Sequence, residues 1–241
     1  MTYPRELREI ALVNEMDLAI HLIKEGLASI QKIPGSSFGG PDYHVPILLI
    51  SSGFERYCKC MIIVNYLTDE GRLPNDSEVN VRNYSHQLDL LIGELVSGYK
   101  PDLQPLKQDP ADLNFIKNDP LASNVIEILS GFGEGGRYNY LDIVLGKTPD
   151  IERIPEVAFD TFEAMLVESD SDLVELQSDS LKQSEFVSLL NIKVVALIEK
   201  MAKNLGKLMR YNSDTGAKVF TLVSTFILTA ETALGRVDYS K

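Results

Sequence analysis

The chain has 241 residues, 44% of them hydrophobic and 24% charged, and a formal net charge of −12. That length suffices to bury a sizeable core, and so acidic a balance argues against unspecific binding of nucleic acid or anionic lipid over the whole surface. Tryptophan is absent and aromatics make up only 8%, so stacking platforms for single-stranded nucleic acid are scarce.

The first residues, MTYPRELREIALVNEM, carry charges throughout and lack the apolar run of a signal peptide. The uncharged runs Val45–Phe54 and Val219–Ala230 fall short of the ~20 residues a membrane helix needs. The expectation is a cytoplasmic protein without a membrane span.

Helical periodicity dominates from the start. Leu7, Ile10, Ala11, Asn14, Leu18, Leu22 and Ile23, with Ile20 slightly off the stripe, mark a first helix, and Pro4 stands in its opening turn. It ends near Ile33, before the loop PGSSFGGPD. A second helix runs from Val45-Pro46 to about Glu70. Its apolar residues, Ile47 through Leu67, cover most of its circumference, as in a buried central helix. Gly53 in its middle costs about 1 kcal/mol of propensity, so another helix is expected to pack closely there. Cys58 and Cys60 sit roughly 200° apart on that helix, which suits two buried thiols and neither a disulfide nor a shared metal.

Gly71 and Pro74 close the second helix. Asn83 or Ser85 can cap a third, whose stripe is Leu88, Leu91, Ile92 and Leu95 and which stops at Gly98. Pro101, Pro105 and Pro110 then break the chain, before a helix from Leu121 to about Ser130. No two alternating β-branched runs are joined by a tight turn.

The stretch GFGEGGRYNYLD, residues 131–142, contains a G-x-G-x-x-G pattern. A dinucleotide fingerprint needs those glycines between a strand and a helix, whereas here they follow the helical Val125-Ile126-Glu127-Ile128-Leu129. The expectation is a helix end running into an extended loop. Arg137, Tyr138, Asn139 and Asp142, with Tyr140, form a polar and aromatic cluster behind it. Arg137 can hold a phosphate or carboxylate bidentately; more plainly, it pairs with Glu134 or Asp142.

From Asp150 to Glu185 there are eleven acidic residues and two basic ones; from Asn191 to Arg210, five basic and one acidic. The latter stretch reads as one long helix with the apolar stripe Val194, Ile198, Met201, Leu205 and Leu208. Lys193, Lys200, Lys203, Lys207 and Arg210 form a separate basic stripe. It suits RNA or another acidic partner; the favoured reading pairs it with the acidic 150–185 segment of the same chain or of a second copy. A last helix is expected from about Ala217 to Leu234, with Gly235 as its stop.

His21, His44 and His86 show no metal-ligand spacing, and no cofactor is expected. Arg82-Asn83-Tyr84-Ser85-His86 is a stretch with catalytic content. Arg82 and Asn83 are suited to hold a phosphodiester, with His86 as general base; the plainer reading is that these residues cap the third helix.

The run VPILLISSGFERYCKCMIIVNYLTDEGRLPN with Phe54-Glu55 and Lys59, then HQLDLLIGEL from His86, and Arg137-Tyr138 after the glycines, resembles HEPN-like helical domains over residues 45–142. The resemblance implies an all-α bundle, commonly dimeric, from prokaryotic defence, toxin–antitoxin or RNA-processing systems. Active members are metal-independent ribonucleases that use an arginine, a polar residue and a histidine late in the fold. Here Arg82, Asn83 and His86 come early, and Arg137-Tyr138-Asn139 has no following histidine.

The combined expectation is an all-α bundle of seven to eight helices forming one domain, 1–241, with an acidic half (about 150–241) packed on the 1–142 bundle. It is expected to be non-catalytic or degenerate and to act through homodimerisation and binding of a protein partner. The alternative is a metal-independent ribonuclease using Arg82/Asn83/His86 or Arg137/Asn139.

Overall fold

Two 27-residue helices form the spine of the molecule. The computed structural model describes residues 3–34, 41–75, 77–79, 84, 86–106, 109–134, 139–146 and 154–239. Among them are α1 (Arg5–Gln31), α2 (His44–Glu70), α3 (Leu88–Ser97), α4 (Pro110–Asn118), α5 (Pro120–Glu134), α6 (Asn139–Val144), α7 (Pro155–Ser169), α8 (Ser171–Gln177), α9 (Gln183–Gly206) and α10 (Asp214–Ile227). The described residues contain no strand, so the fold is all-α. Ten helices replace the expected seven to eight. The helices that the pattern did not locate are α4, α6 and α8, of nine, six and seven residues and too short for apolar periodicity to reveal, and the 15-residue α7 in the acidic stretch. Local caps specify α4 and α8 instead: Asp109 accepts from Ala111 N, and Asp170 from Asp172 N and Leu173 N.

Helices α1 and α2 approach through glycine. A Cβ on Gly53 would lie 2.7 Å from Ile23 Cγ1 and 3.0 Å from Ala19 O, and a Cβ on Gly26 would strike Ile50. The close packing expected at Gly53 is therefore made by α1. Helix α2 closes at Gly71, whose φ of 70° suits a residue without a Cβ.

Most of the stripe that marked the first helix is not its buried face; of its residues only Ile20 and Ile23 are buried. The core takes Leu12, Met16, Ala19, Ile20, Ile23, Leu27 and Ile30, whereas Leu7, Ile10, Ala11, Asn14 and Leu18 are exposed. At about 100° per residue the two sets lie on opposite sides of the helix. Helix α1 carries two apolar stripes, and the core uses the longer one.

Helix α9 starts eight positions earlier than expected and ends at Gly206, so Arg210 lies beyond it. Polar groups along α2 grip that end: Tyr57 Oη donates to Ala202 O at 3.0 Å, Thr68 Oγ1 to Arg210 O at 3.0 Å, and Arg210 N to Asn65 Oδ1 at 2.9 Å. The last helix is shorter than expected. Ser213 caps α10 by accepting from Gly216 N, and after Ile227 the chain passes through a 3-10 turn at Glu231–Ala233. Gly235 (φ 78°) is no helix cap; the tail passes so close to α9 there that a Cβ would meet Ile192 O. Glu199 receives Gly235 N and Tyr239 Oη, at 2.5 and 2.6 Å, and Gln31 Nε2 donates to Val237 O at 2.6 Å. Helix α7 packs on α5, α9 on α1 and α4, and α10 on α1 and α9. One continuous apolar cluster runs from Leu12 to Ile227.

Candidate functional site

His86 stands in the turn before α3, held from two sides. Its Nδ1 lies 2.7 Å from Glu55 Oε2, and Glu55 Oε1 accepts from Lys59 Nζ at 2.5 Å, one turn further along α2. From α5, Gly133 comes so near that a Cβ there would lie 2.7 Å from His86 Cβ. Burial raises the Glu55 carboxyl, but the bonds from Lys59 and His86 outweigh it and hold the group below its ordinary value. A carboxylate on one ring nitrogen fixes the tautomer and leaves Nε2 for proton transfer. His86 does not cap α3. Leu88 N donates instead to Ser130 Oγ of α5 at 3.0 Å. Arg82, Asn83 and Ser85 lie outside the described residues, so the geometry concerns His86 with Glu55 and Lys59.

Arg137 and Tyr138 also lie outside the described residues. The glycines thought to open a loop belong in part to α5: Gly131 and Gly133 are helical, and Phe132 between them is buried. Asn139 and Asp142 fall on α6, where an extended loop was expected. Leu141, Ile143, Val144 and Leu145 beside them are exposed.

The basic stripe is engaged inside the chain. Lys193 Nζ reaches Asp170 at 2.5 Å, Lys207 reaches Asp112 at 2.6 Å, and Lys203 reaches Glu231 at 2.6 Å and Thr229 O at 2.7 Å. Lys200 Nζ sits 4.4 Å from the centroid of the Phe115 ring. Arg210 donates through Nε and Nη2 to Asp69, at 3.1 and 2.6 Å, and through Nη1 to Gly98 O at 2.8 Å. Only Lys193 finds its acceptor in the 150–185 segment; the others look to α2, α4 and the tail.

Arg210 and Asp69 also border a cavity of about 220 Å³ that Asn65, Tyr84, Glu94 and Leu95 help to line. Arg210 first, then Lys100, holds the Asp69 carboxyl below its ordinary value. Pairing across 141 positions leaves no local signal in the sequence that would mark Asp69. The same holds for Glu55, 31 positions from His86.

The outer stripe of α1 is the other candidate. Leu7, Ile10 and Leu18 are 54%, 55% and 41% exposed, and with Ala11, Asn14 and His21 they span an arc of about 100°. Arg8, bonded to Pro74 O, and Glu15, paired with Arg56, border it on one side. Among the described residues no group of three His, Cys, Asp or Glu side chains is placed to hold a metal ion, and no helix is long and apolar enough to cross a membrane. Cys58 and Cys60 are buried, and burial pushes both thiols up.

No protein-family model, no curated protein and no solved structure matches the chain.

Proposed function

We propose that this chain is a non-catalytic, HEPN-like helical protein that works through protein–protein contact, and that its contact element is the outer face of α1. The observation that carries this reading is the second apolar stripe on that helix. Three large aliphatic side chains aligned in solvent, opposite the face the core uses, serve no folding purpose and fit a docking surface. The prokaryotic defence or toxin–antitoxin setting implied by the resemblance belongs to the same proposal.

The occupant is a second copy of the chain, with its α1 antiparallel. Leu7 then meets Leu18 of the second copy and Ala11 meets Asn14, a pattern that repeats under a two-fold axis as an isologous contact requires. On one flank Arg8 falls beside Glu15 of the second copy, twice over. A parallel pairing would set Glu15 against Ile10 instead. The stripe is smaller than the ~800 Å² per partner of a standard interface, so the expected dimer is weak, with a Kd on the order of micromolar.

Sedimentation equilibrium and cysteine pairing test this. A mixture of Leu7→Cys and Leu18→Cys proteins should form disulfide-linked dimers while each alone does not, because like positions lie about 16 Å apart along an antiparallel pair. A wild-type protein that stays monomeric to about a hundred micromolar would sink the second-copy reading.

One observation favours a second reading, the metal-independent ribonuclease: the Glu55 carboxylate orients His86 as a general base should be oriented. His86→Ala would then lower cleavage of a single-stranded RNA roughly 10²- to 10⁴-fold. Wild-type protein that leaves the RNA intact would end this alternative.

A further inference from the structure

Helix α7 carries a carboxyl inside the protein. Glu163 is 5% exposed, and its Oε1 accepts a hydrogen bond from Tyr43 Oη at 2.7 Å. Tyr43 is also buried and ends the 3-10 turn Pro41–Tyr43 that leads into α2. Its ring centroid lies 4.2 Å from that of Phe159, which lies 5.4 Å from Phe162. The carboxyl therefore sits against an aromatic cluster with one hydroxyl as its donor.

The charged side chains described on the elements around this pair are of one sign. The elements packed most closely on α7 are α5 and α8, and neither they, nor α7, nor the 3-10 turn contains a lysine or arginine. Among the side chains described, the titratable groups they present are Asp42 beside Tyr43, Asp160 one turn before Glu163, and the exposed Glu127, Glu168, Asp172 and Glu175. His44 follows Tyr43 in the chain, and its ring stands edge-on to Phe132 of α5, 4.9 Å between centroids. An ionised Glu163 would be a buried anion beside Asp160 with no described cation to meet it.

We propose that the Tyr43–Glu163 pair is a proton-gated latch: a protonated Glu163 keeps α7 docked on α5 and on the entry to α2, and loss of that proton to solvent frees α7 and uncovers the apolar face of α5 beneath it. Burial raises the Glu163 carboxyl, the Tyr43 bond opposes that rise, Asp160 adds to it, and the group comes to about 7. The ordinary carboxyl value is 4.5, so the folded state holds this proton more tightly than the unfolded chain. The latch is accordingly at full strength below about 4.5 and weakens as the pH rises through about 7. It is closed in acid and open in mild alkali.

Amide hydrogen exchange across α7, corrected for the intrinsic pH dependence of exchange, tests the latch directly. Wild-type protection in α7 should fall about tenfold per pH unit between about 4.5 and about 7 and level off above that, as expected for loss of one proton. Glu163→Gln, which keeps the shape and cannot ionise, should show no such fall. Tyr43→Phe removes the donor that favours the carboxylate and should move the midpoint to higher pH, a shift that a merely structural role would not produce. A wild-type α7 with flat protection, or a Glu163→Gln protein with the wild-type profile, overturns the proposal. Should the glutamine variant fail to fold, the ¹³C titration of the Glu163 carboxyl in the wild type decides the matter, and a midpoint in the ordinary carboxylate range overturns it as well.

Discussion

Arg210 and Asp69 are joined by two parallel hydrogen bonds although 141 positions separate them, and the Arg210 side chain is only 5% exposed. A guanidinium matched in this way to a carboxylate is bidentate, and its remaining donor on Gly98 O ties α2, the end of α3 and the segment after α9 at one point. Removing the carboxylate would leave Arg210 buried and uncompensated. Asp69→Ala should therefore cost about 2–3 kcal/mol, below the 3–5 kcal/mol of a fully buried pair because Asp69 is partly open to solvent. Urea denaturation at neutral pH measures this. The folded Asp69 carboxyl lies below its ordinary 3.8, so its contribution is present above that value and lost as the pH falls below it. The gap between wild type and variant should narrow in acid.

The crossing of α1 and α2 leaves no room for a methyl group. Gly53→Ala would set a Cβ 3.0 Å from both Ala19 O and Ile23 N, which are backbone atoms that yield poorly. The helix propensity gained, about 1 kcal/mol, is smaller than the overpacking it causes. A net loss of roughly 1–2 kcal/mol is expected from thermal unfolding; a gain in stability would show that the helices slide apart freely.

Ser130 is a cap supplied by a neighbouring helix. Its Oγ accepts from Leu88 N, the first residue of α3. Ser130→Ala should cost about 1–2 kcal/mol, since a buried backbone donor then has no acceptor. Hydrogen exchange should localise the loss to α3.

On the outer face of α1, Leu18→Glu alters a residue that the core does not use. Its stability should stay within about 0.5 kcal/mol of the wild type, while self-association should weaken at least tenfold, as for a desolvated charge at a small contact. Equal association of the two proteins in sedimentation experiments would place the contact elsewhere.

The helical class was legible because apolar residues recur at helical spacing, and α2 showed its central place by being apolar almost all round. Helix α1 misled for a physical reason. It has two stripes, and periodicity says that a face is apolar without saying which face meets the core. The short helices depend on caps such as Asp109 and Asp170, single residues whose role appears only with the backbone around them. Of the candidate site, His86 was recognisable as a residue type. Its orientation by Glu55, like the grip of Asp69 on Arg210, rests on tertiary contacts that no local pattern announces. The Tyr43–Glu163 bond joins positions 120 apart and was equally invisible.

The polar ladder along α2 also bears on the order of assembly. Helices α1 and α2 are close in sequence and can pair early, but Tyr57, Asn65, Thr68 and Asp69 must wait for partners from Ala202 to Arg210. A ribosome adding ~5–20 residues per second reaches those partners many seconds after α2 is complete. During that interval the nascent hairpin presents two hydroxyls, an amide and a carboxylate that favour hydration over collapse. The polar groups that lock the finished bundle are thus among the last of its contacts that synthesis allows to form.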